Sequence, residues 1–266
     1  MSTRPPLGRR LVRQAVPPVI VLLLFLAGWD LGVRLSGVPE FLIPSPHAVA
    51  RSFLANRDAL LMASLSTGRA AAAGFLLSLA VGCLLAFLMA QARVLELSLY
   101  PYAIFLQTVP IIAIAPIIIL WFGSGMRSII VISFIISLFP IITNATHGLT
   151  ALPPEWRELM AVYDASWWQR LVKLQLPAAV PSIVTGAKIS AGLSVVGAIV
   201  GEYFTSMAGE TFGIAYLVTY NADHAATAYL FATILTSALL GLLIFGTVTA
   251  VGGMILKLGN FRETAS

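Results

Sequence analysis

Apolar and polar positions divide this chain into long blocks. Six apolar segments, at about 16–35, 64–90, 99–122, 128–149, 181–204 and 228–256, are separated by shorter polar stretches. Crossing a hydrocarbon core about 30 Å thick takes roughly 20 residues of helix, and each segment meets that length. Backbone groups in lipid must be satisfied within the segment itself, so each is expected to be a helix. The alternation of apolar and polar residues that marks a membrane barrel is missing. The expected fold class is an all-α integral membrane protein with about six transmembrane helices.

Composition supports that class and excludes others. Of the 266 residues, 59% are hydrophobic and 10% charged, against about 25% charged in soluble domains. The single cysteine, Cys83, lies inside an apolar run, so it forms no internal disulfide and is expected to be a small buried hydrophobe. His47, His147 and His224 stand far apart and have no metal-ligand spacing. No glycine-rich phosphate loop or nucleophile elbow is present. No catalytic residue, no metal site and no cofactor bound by this chain are therefore expected. The net charge of +5 is scattered over loop ends, unlike a nucleic-acid face.

Orientation follows the basic residues. Arg4, Arg9, Arg10 and Arg13 precede the first segment, which resembles a secretory signal without a small-residue cleavage site and is read as an uncleaved first span. With the N-terminus in the cytoplasm, Arg93, Arg157, Arg170, Lys173, Lys257 and Arg262 also fall inside, against Arg34, Arg51, Arg57, Arg69 and Arg127 outside. Both termini and the polar loop 152–177 are then cytoplasmic. The expected division is a tail at 1–15, a membrane domain at 16–256 and a tail at 257–266.

The third segment carries Pro101, Pro110 and Pro116. Interior prolines remove a backbone hydrogen bond and kink a helix, and broken helices in membranes occur where protein or a water-filled cavity supports them. It is expected to be a kinked helix, either lining a translocation path or packing within the bundle. Gln107, Pro110, Pro116 and the intramembrane acid Glu202 are the pathway candidates; for Glu202, gating, packing or simple access to water are all open. Asp30 and Arg34, four apart, are expected to pair. Lys188, read as two turns into the fifth span, is expected to snorkel to the cytoplasmic interface rather than meet an anion. Asn144 and His147 are expected to hydrogen-bond between helices, and Gly186, Gly192, Gly197 and Gly201 to permit close packing.

The polar loop has its own pattern. Pro153 and Pro154 suit a helix start, and Glu155 and Glu158 complement the positive end of its dipole. Trp156, Leu159, Met160, Tyr163 and Trp167 recur at steps of 3, 1, 3 and 4, one helix face. A break is expected at Asp164-Ala165. Ser166 with Gln169 forms a capping box that starts a second helix, ending near Leu176-Pro177, before Pro181 opens the fifth span. The bulky face fits a groove on a partner protein or the membrane interface, and the pattern leaves both open.

At this loop the sequence resembles the permease subunits of binding-protein-dependent ABC importers. Their signature runs Glu-Ala-Ala, three residues, Gly, nine residues, Ile, one residue, Leu-Pro. Glu158, Asp164, Leu174, Leu176 and Pro177 keep its register, with Leu159-Met160 in place of Ala-Ala, Asp164 in place of Gly and Leu174 in place of Ile. A glycine there usually takes the left-handed conformation, which Asp tolerates better than most residues. Segments 106–123, 139–149 and 176–204 resemble family stretches in family order. Segment 41–53 is similar to an outer loop of the subgroup serving nitrate, sulfonate, taurine, bicarbonate, thiamin-precursor and riboflavin importers.

The resemblance implies a type I importer fold with a cytoplasmic coupling helix between spans four and five. It implies ATPase coupling through Trp156, Glu158, Leu159, Met160, Tyr163, Asp164, Leu176 and Pro177. Implied partners are ABC ATPase subunits, which bind ATP and magnesium, a periplasmic or lipid-anchored solute-binding protein, and a second permease copy. The implied location is the bacterial cytoplasmic membrane. A secondary transporter or channel is the alternative; it would need an internal repeat or a set of ion-coupling acids, and neither is visible in the sequence.

Overall fold

The structure, a computed structural model, describes residues 7–209 and 212–259, with backbone alone for 7–15 and Arg157. The expected tails lie partly outside the described residues. The helices in chain order are α1 (Leu7–Ser36), α2 (Pro46–Ala55), α3 (Arg57–Gln91), α4 (Arg93–Thr108), α5 (Ile111–Phe122), α6 (Met126–Thr150) and α7 (Pro154–Val162). There follow α8 (Trp167–Arg170), a π-helical turn (Leu171–Gln175), α9 (Leu176–Met207), α10 (Ile214–Asp223) and α11 (Thr227–Leu258). Five stretches are long and apolar enough to cross a membrane: 16–36 of α1, α3, α6, the run from α8 through α9, and α11. The pair α4–α5 makes a sixth if counted as one span. Among the described residues there is no strand.

Two expectations about these elements are corrected. The third segment is not one kinked helix but two, meeting at 97°. Val109 is extended (φ −72°, ψ 122°) and Pro110 takes the position before the first turn of α5. Proline disfavours the α region for the residue before it, and it cannot donate the amide that would continue α4. Pro101 and Pro116, in contrast, lie inside helices.

The fifth span, in turn, does not begin at Pro181. Helix runs without interruption from Trp167 to Met207, 41 residues. The Leu176 amide bonds to the Leu171 carbonyl, five residues back. That wider turn carries the chain past Pro177, whose missing amide would otherwise interrupt the helix.

The core is a sandwich in which α6 packs between α3 and α9. Small residues let the backbones approach. A Cβ on Gly197 would fall 2.6 Å from the Ser133 Cα, and one on Gly186 2.8 Å from the Pro140 carbonyl oxygen. Gly201 meets Ile129 in the same way, but Gly192 does not, because its Cβ position opens on empty space. Buried serines join the same three helices. The Ser133 hydroxyl donates to the Ser194 carbonyl (2.8 Å) and that of Ser190 to the Ser137 carbonyl (2.6 Å), while Ser78 and Ser137 pair at 2.8 Å.

Asn144 is a further correction. Its side-chain amide donates to the Pro140 carbonyl of its own helix (2.8 Å), and His147 is exposed. Asp30 and Arg34 pair as expected, at 2.8 Å. In its apolar stretch α1 has no buried residue; it touches the bundle where Trp29 meets Phe231 of α11, ring centroids 5.8 Å apart.

Candidate coupling site

Helix α7 projects from one end of the bundle, called here the loop end. It begins at Pro154, where a missing amide costs nothing. It ends in a Schellman turn: the Ala165 amide donates to the Met160 carbonyl (3.0 Å) and the Asp164 amide to the Ala161 carbonyl (3.1 Å). Asp164 has φ +46°, the left-handed conformation expected of the residue in the glycine position. Two residues later the capping box is complete. The Ser166 amide donates to Gln169 Oε1 (2.8 Å), and the Gln169 amide to Ser166 Oγ (3.3 Å).

This double turn is bolted to the bundle. Trp167 Nε1 donates to Gln91 Oε1 at the end of α3 (2.8 Å), and the Trp167 ring meets Phe87 edge-on. Arg170 Nε donates to the Ala165 carbonyl (2.9 Å), holding α8 against the Schellman turn. Leu171 and Leu174 are buried beneath it, Leu174 being the residue in the signature's isoleucine position.

The expected single stripe is thereby divided. Trp156 and Leu159 are exposed on α7, and Tyr163, its capping residue, is 77% exposed. Glu158 is exposed beside them. Met160 instead turns inward and lines a cavity of about 510 Å³ with Arg93, Glu96, Thr150, Arg170 and Leu174. Trp167 belongs to α8 and serves as an anchor. Val162, 80% exposed and three residues from Leu159, joins the outer face as a residue outside the expected stripe. Leu176 and Pro177 form the first turn of α9, Leu176 exposed and Pro177 half-buried.

The pathway candidates separate into two groups. Gln107, Pro110 and Pro116 are exposed on the two arms of the broken span. Glu202 is 1% exposed and lies near the opposite, far end of the bundle. Its carboxylate accepts from the Thr67 hydroxyl of α3 (2.7 Å) and from the Ala215 amide in the first turn of α10 (3.2 Å). The Thr67 oxygen accepts in turn from the Ile214 amide (3.0 Å). A carboxylate at a helix N-terminus complements the dipole and satisfies amides that have no partner within the helix. Gly213 precedes that helix at φ +93° and leaves no room for a side chain beside the carboxyl. Of the alternatives for Glu202, access to water is excluded in this conformation. Thr67 and Gly213 carry no local signal in the sequence that could have named them.

Comparison with known proteins bears on the same segments. The family model described as "Binding-protein-dependent transport system inner membrane component" matches residues 78–252, which span α6, the whole double turn and α9. A probable ABC transporter permease protein of Haemophilus influenzae is 29% identical over 231 residues, 87% of this chain and 93% of that protein. The formylaminopyrimidine transport permease protein ThiX of Halalkalibacterium halodurans is 31% identical over 244 residues, 91% of this chain and 96% of that protein. The riboflavin transport system permease protein RibX of Chloroflexus aurantiacus is 34% identical over 228 residues, 85% of this chain and 84% of that protein. The matched region holds both the packed pair α6 and α9 and the exposed helix α7, and the chain belongs to the inner-membrane permease family of binding-protein-dependent ABC transporters.

Proposed function

We propose that the loop end faces the cytoplasm and that α7 is the element through which a separate ABC ATPase drives this permease. One observation carries the reading. An exposed apolar and aromatic face (Trp156, Leu159, Val162, Tyr163) stands on a turn whose hydrogen bonds lock it to α3 and to α8, which runs on into α9 as one continuous helix. A force applied to that face moves the bundle rather than bending a loop. The ten basic residues assigned to this side, Arg93 and Arg170 among them, support the orientation.

In this reading the working unit holds two permease copies and two ATPase subunits, and ATP and magnesium bind the ATPases. A solute-binding protein delivers the solute to the far end. The solute is a small organic or inorganic molecule, and the binding protein carries most of the selectivity. The sparse contacts of α1 with its own bundle leave it available to a second copy.

The test is a gentle detergent purification of the tagged protein from native membranes, with mass spectrometry of what accompanies it. An ABC ATPase is expected with the wild type and absent with Glu158→Arg, while insertion of that variant is unchanged. Recovery of the chain alone, with crosslinker and ATP present, would overturn the reading in favour of a transporter that runs without ATP.

A further inference from the structure

Lys188 does not lie where a snorkelling lysine would. The packing of α9 on α6 sets its depth. Gly186 faces Pro140 and Asn144, and Ser190 hydrogen-bonds to the Ser137 carbonyl. Lys188 is therefore level with the middle of α6, which extends from Met126 to Thr150. At 1.5 Å per residue, both ends of α6 are roughly 15–20 Å away, farther than the four-carbon stem of a lysine reaches. The snorkelling expectation rested on a span starting at Pro181, and the continuous helix from Trp167 removes that start.

The side of α9 turned away from α6 is open. Thr185, Ile189, Val196 and Tyr203 are exposed along it at helical spacing, and Lys188 is half-buried at its edge. One turn on, the space beside Gly192 is empty. The broken span borders the far half of the same side, where Ile112 of α5 lines an apolar cavity of about 290 Å³ with Val200 and Tyr203. A cation at mid-depth is costly in hydrocarbon and belongs against protein or water. An ammonium group offers three hydrogen-bond donors and no acceptor.

We propose that Lys188 lines the solute path at mid-depth and donates to an acceptor-bearing group of the passing solute, an oxyanion or a carbonyl. This rests on the permease reading above, with the open side of α9 facing the path between two copies. Lys188 then acts on the solute in transit, after the binding protein has released it.

Two measurements test it. In a Cys83→Ala background, Lys188→Cys is treated in membrane vesicles with charged, water-soluble methanethiosulfonates, with and without ATP. Ala191→Cys, on the packed side of α9, is the control. The introduced thiol at 188 is expected to react at least about tenfold faster than the control in one nucleotide state. Equal, negligible reaction in both states would overturn the proposal. The second measurement is uptake of nitrate, methanesulfonate, riboflavin and an aminopyrimidine by cells carrying wild type, Lys188→Arg or Lys188→Met. For any of these that the wild type carries, Lys188→Met should lower uptake about tenfold or more, the size of one charge-assisted hydrogen bond. Lys188→Arg should retain most of it. Transport of nitrate or methanesulfonate identifies an oxyanion as the acceptor, and transport of riboflavin or the aminopyrimidine identifies a neutral acceptor. Undiminished uptake in Lys188→Met overturns the proposal. Copurification of the ATPase with wild type and with Lys188→Met separates the two readings: its absence from wild type would count against the permease reading, its presence with both assigns lost uptake to Lys188 rather than to assembly, and the thiol reaction reports on Lys188 alone.

Discussion

The Glu202 carboxylate of α9 accepts a 2.7 Å hydrogen bond from the hydroxyl of Thr67 in α3, 135 residues away in sequence. Through the Ala215 and Ile214 amides the same pair caps α10. Three elements at the far end of the bundle thus share one buried polar knot. Such a knot is costly to break, because each buried donor left without an acceptor costs about 1–3 kcal/mol.

Glu202→Leu should therefore lower the thermal midpoint of the purified protein strongly. Glu202→Gln should lower it only slightly, since its oxygen can face the Ala215 amide and its amide the Thr67 oxygen. Gly213→Ala should behave like Glu202→Leu, because the added Cβ overlaps the carboxyl and the backbone is left-handed there. Melting in detergent distinguishes these outcomes, and equal midpoints for Leu and Gln would contradict the network.

Asp164 holds a left-handed conformation at the end of α7. Asp164→Gly should retain ATPase coupling and stabilise the turn by up to about 1 kcal/mol, the strain that a Cβ brings to this region. Asp164→Val, with a β-branched side chain, should open the Schellman turn and uncouple hydrolysis from uptake. The check is the ratio of solute carried to ATP hydrolysed in proteoliposomes, which should fall for Val alone.

Trp167 ties the double turn to Gln91 and Phe87. Trp167→Phe should keep the ring contact but lose the hydrogen bond, at about 1 kcal/mol. Trp167→Ala should free the turn, leaving ATPase binding intact while reducing transport per ATP. Loss of ATPase binding itself in Trp167→Ala would show that this side chain belongs to the docking face rather than to the anchor.

Gly197 and Gly192 lie five residues apart on one helix with opposite surroundings. Gly197→Leu should prevent α9 from seating on Ser133 of α6 and sharply reduce the yield of folded protein. Gly192→Ala should be tolerated, since nothing lies within 4 Å of the added atom. Expression with size-exclusion profiles separates the two.

The double turn was legible almost residue by residue. Pro154, the left-handed Asp164 and the Ser166–Gln169 box each act through neighbours within a few positions. Trp167 leaves the face of α7 because the helix axis turns at Asp164, whereas Met160, within α7 itself, lies on the side turned toward the bundle, and a spacing of one residue from Leu159 does not say which side that is.

The sequence by itself determined the all-helical membrane class, the approximate position of each apolar segment and the capping of the loop, because lipid length and local hydrogen bonding act over short stretches of chain. Only the tertiary structure decided that Pro110 breaks its span while Pro101 and Pro116 do not, and that Gly197 packs while Gly192 faces open space. It alone joined Glu202 to Thr67 and placed Lys188 at mid-depth. These depend on which surfaces meet across distant parts of the chain, and a one-dimensional pattern of polarity does not specify the rotation or register of one helix on another.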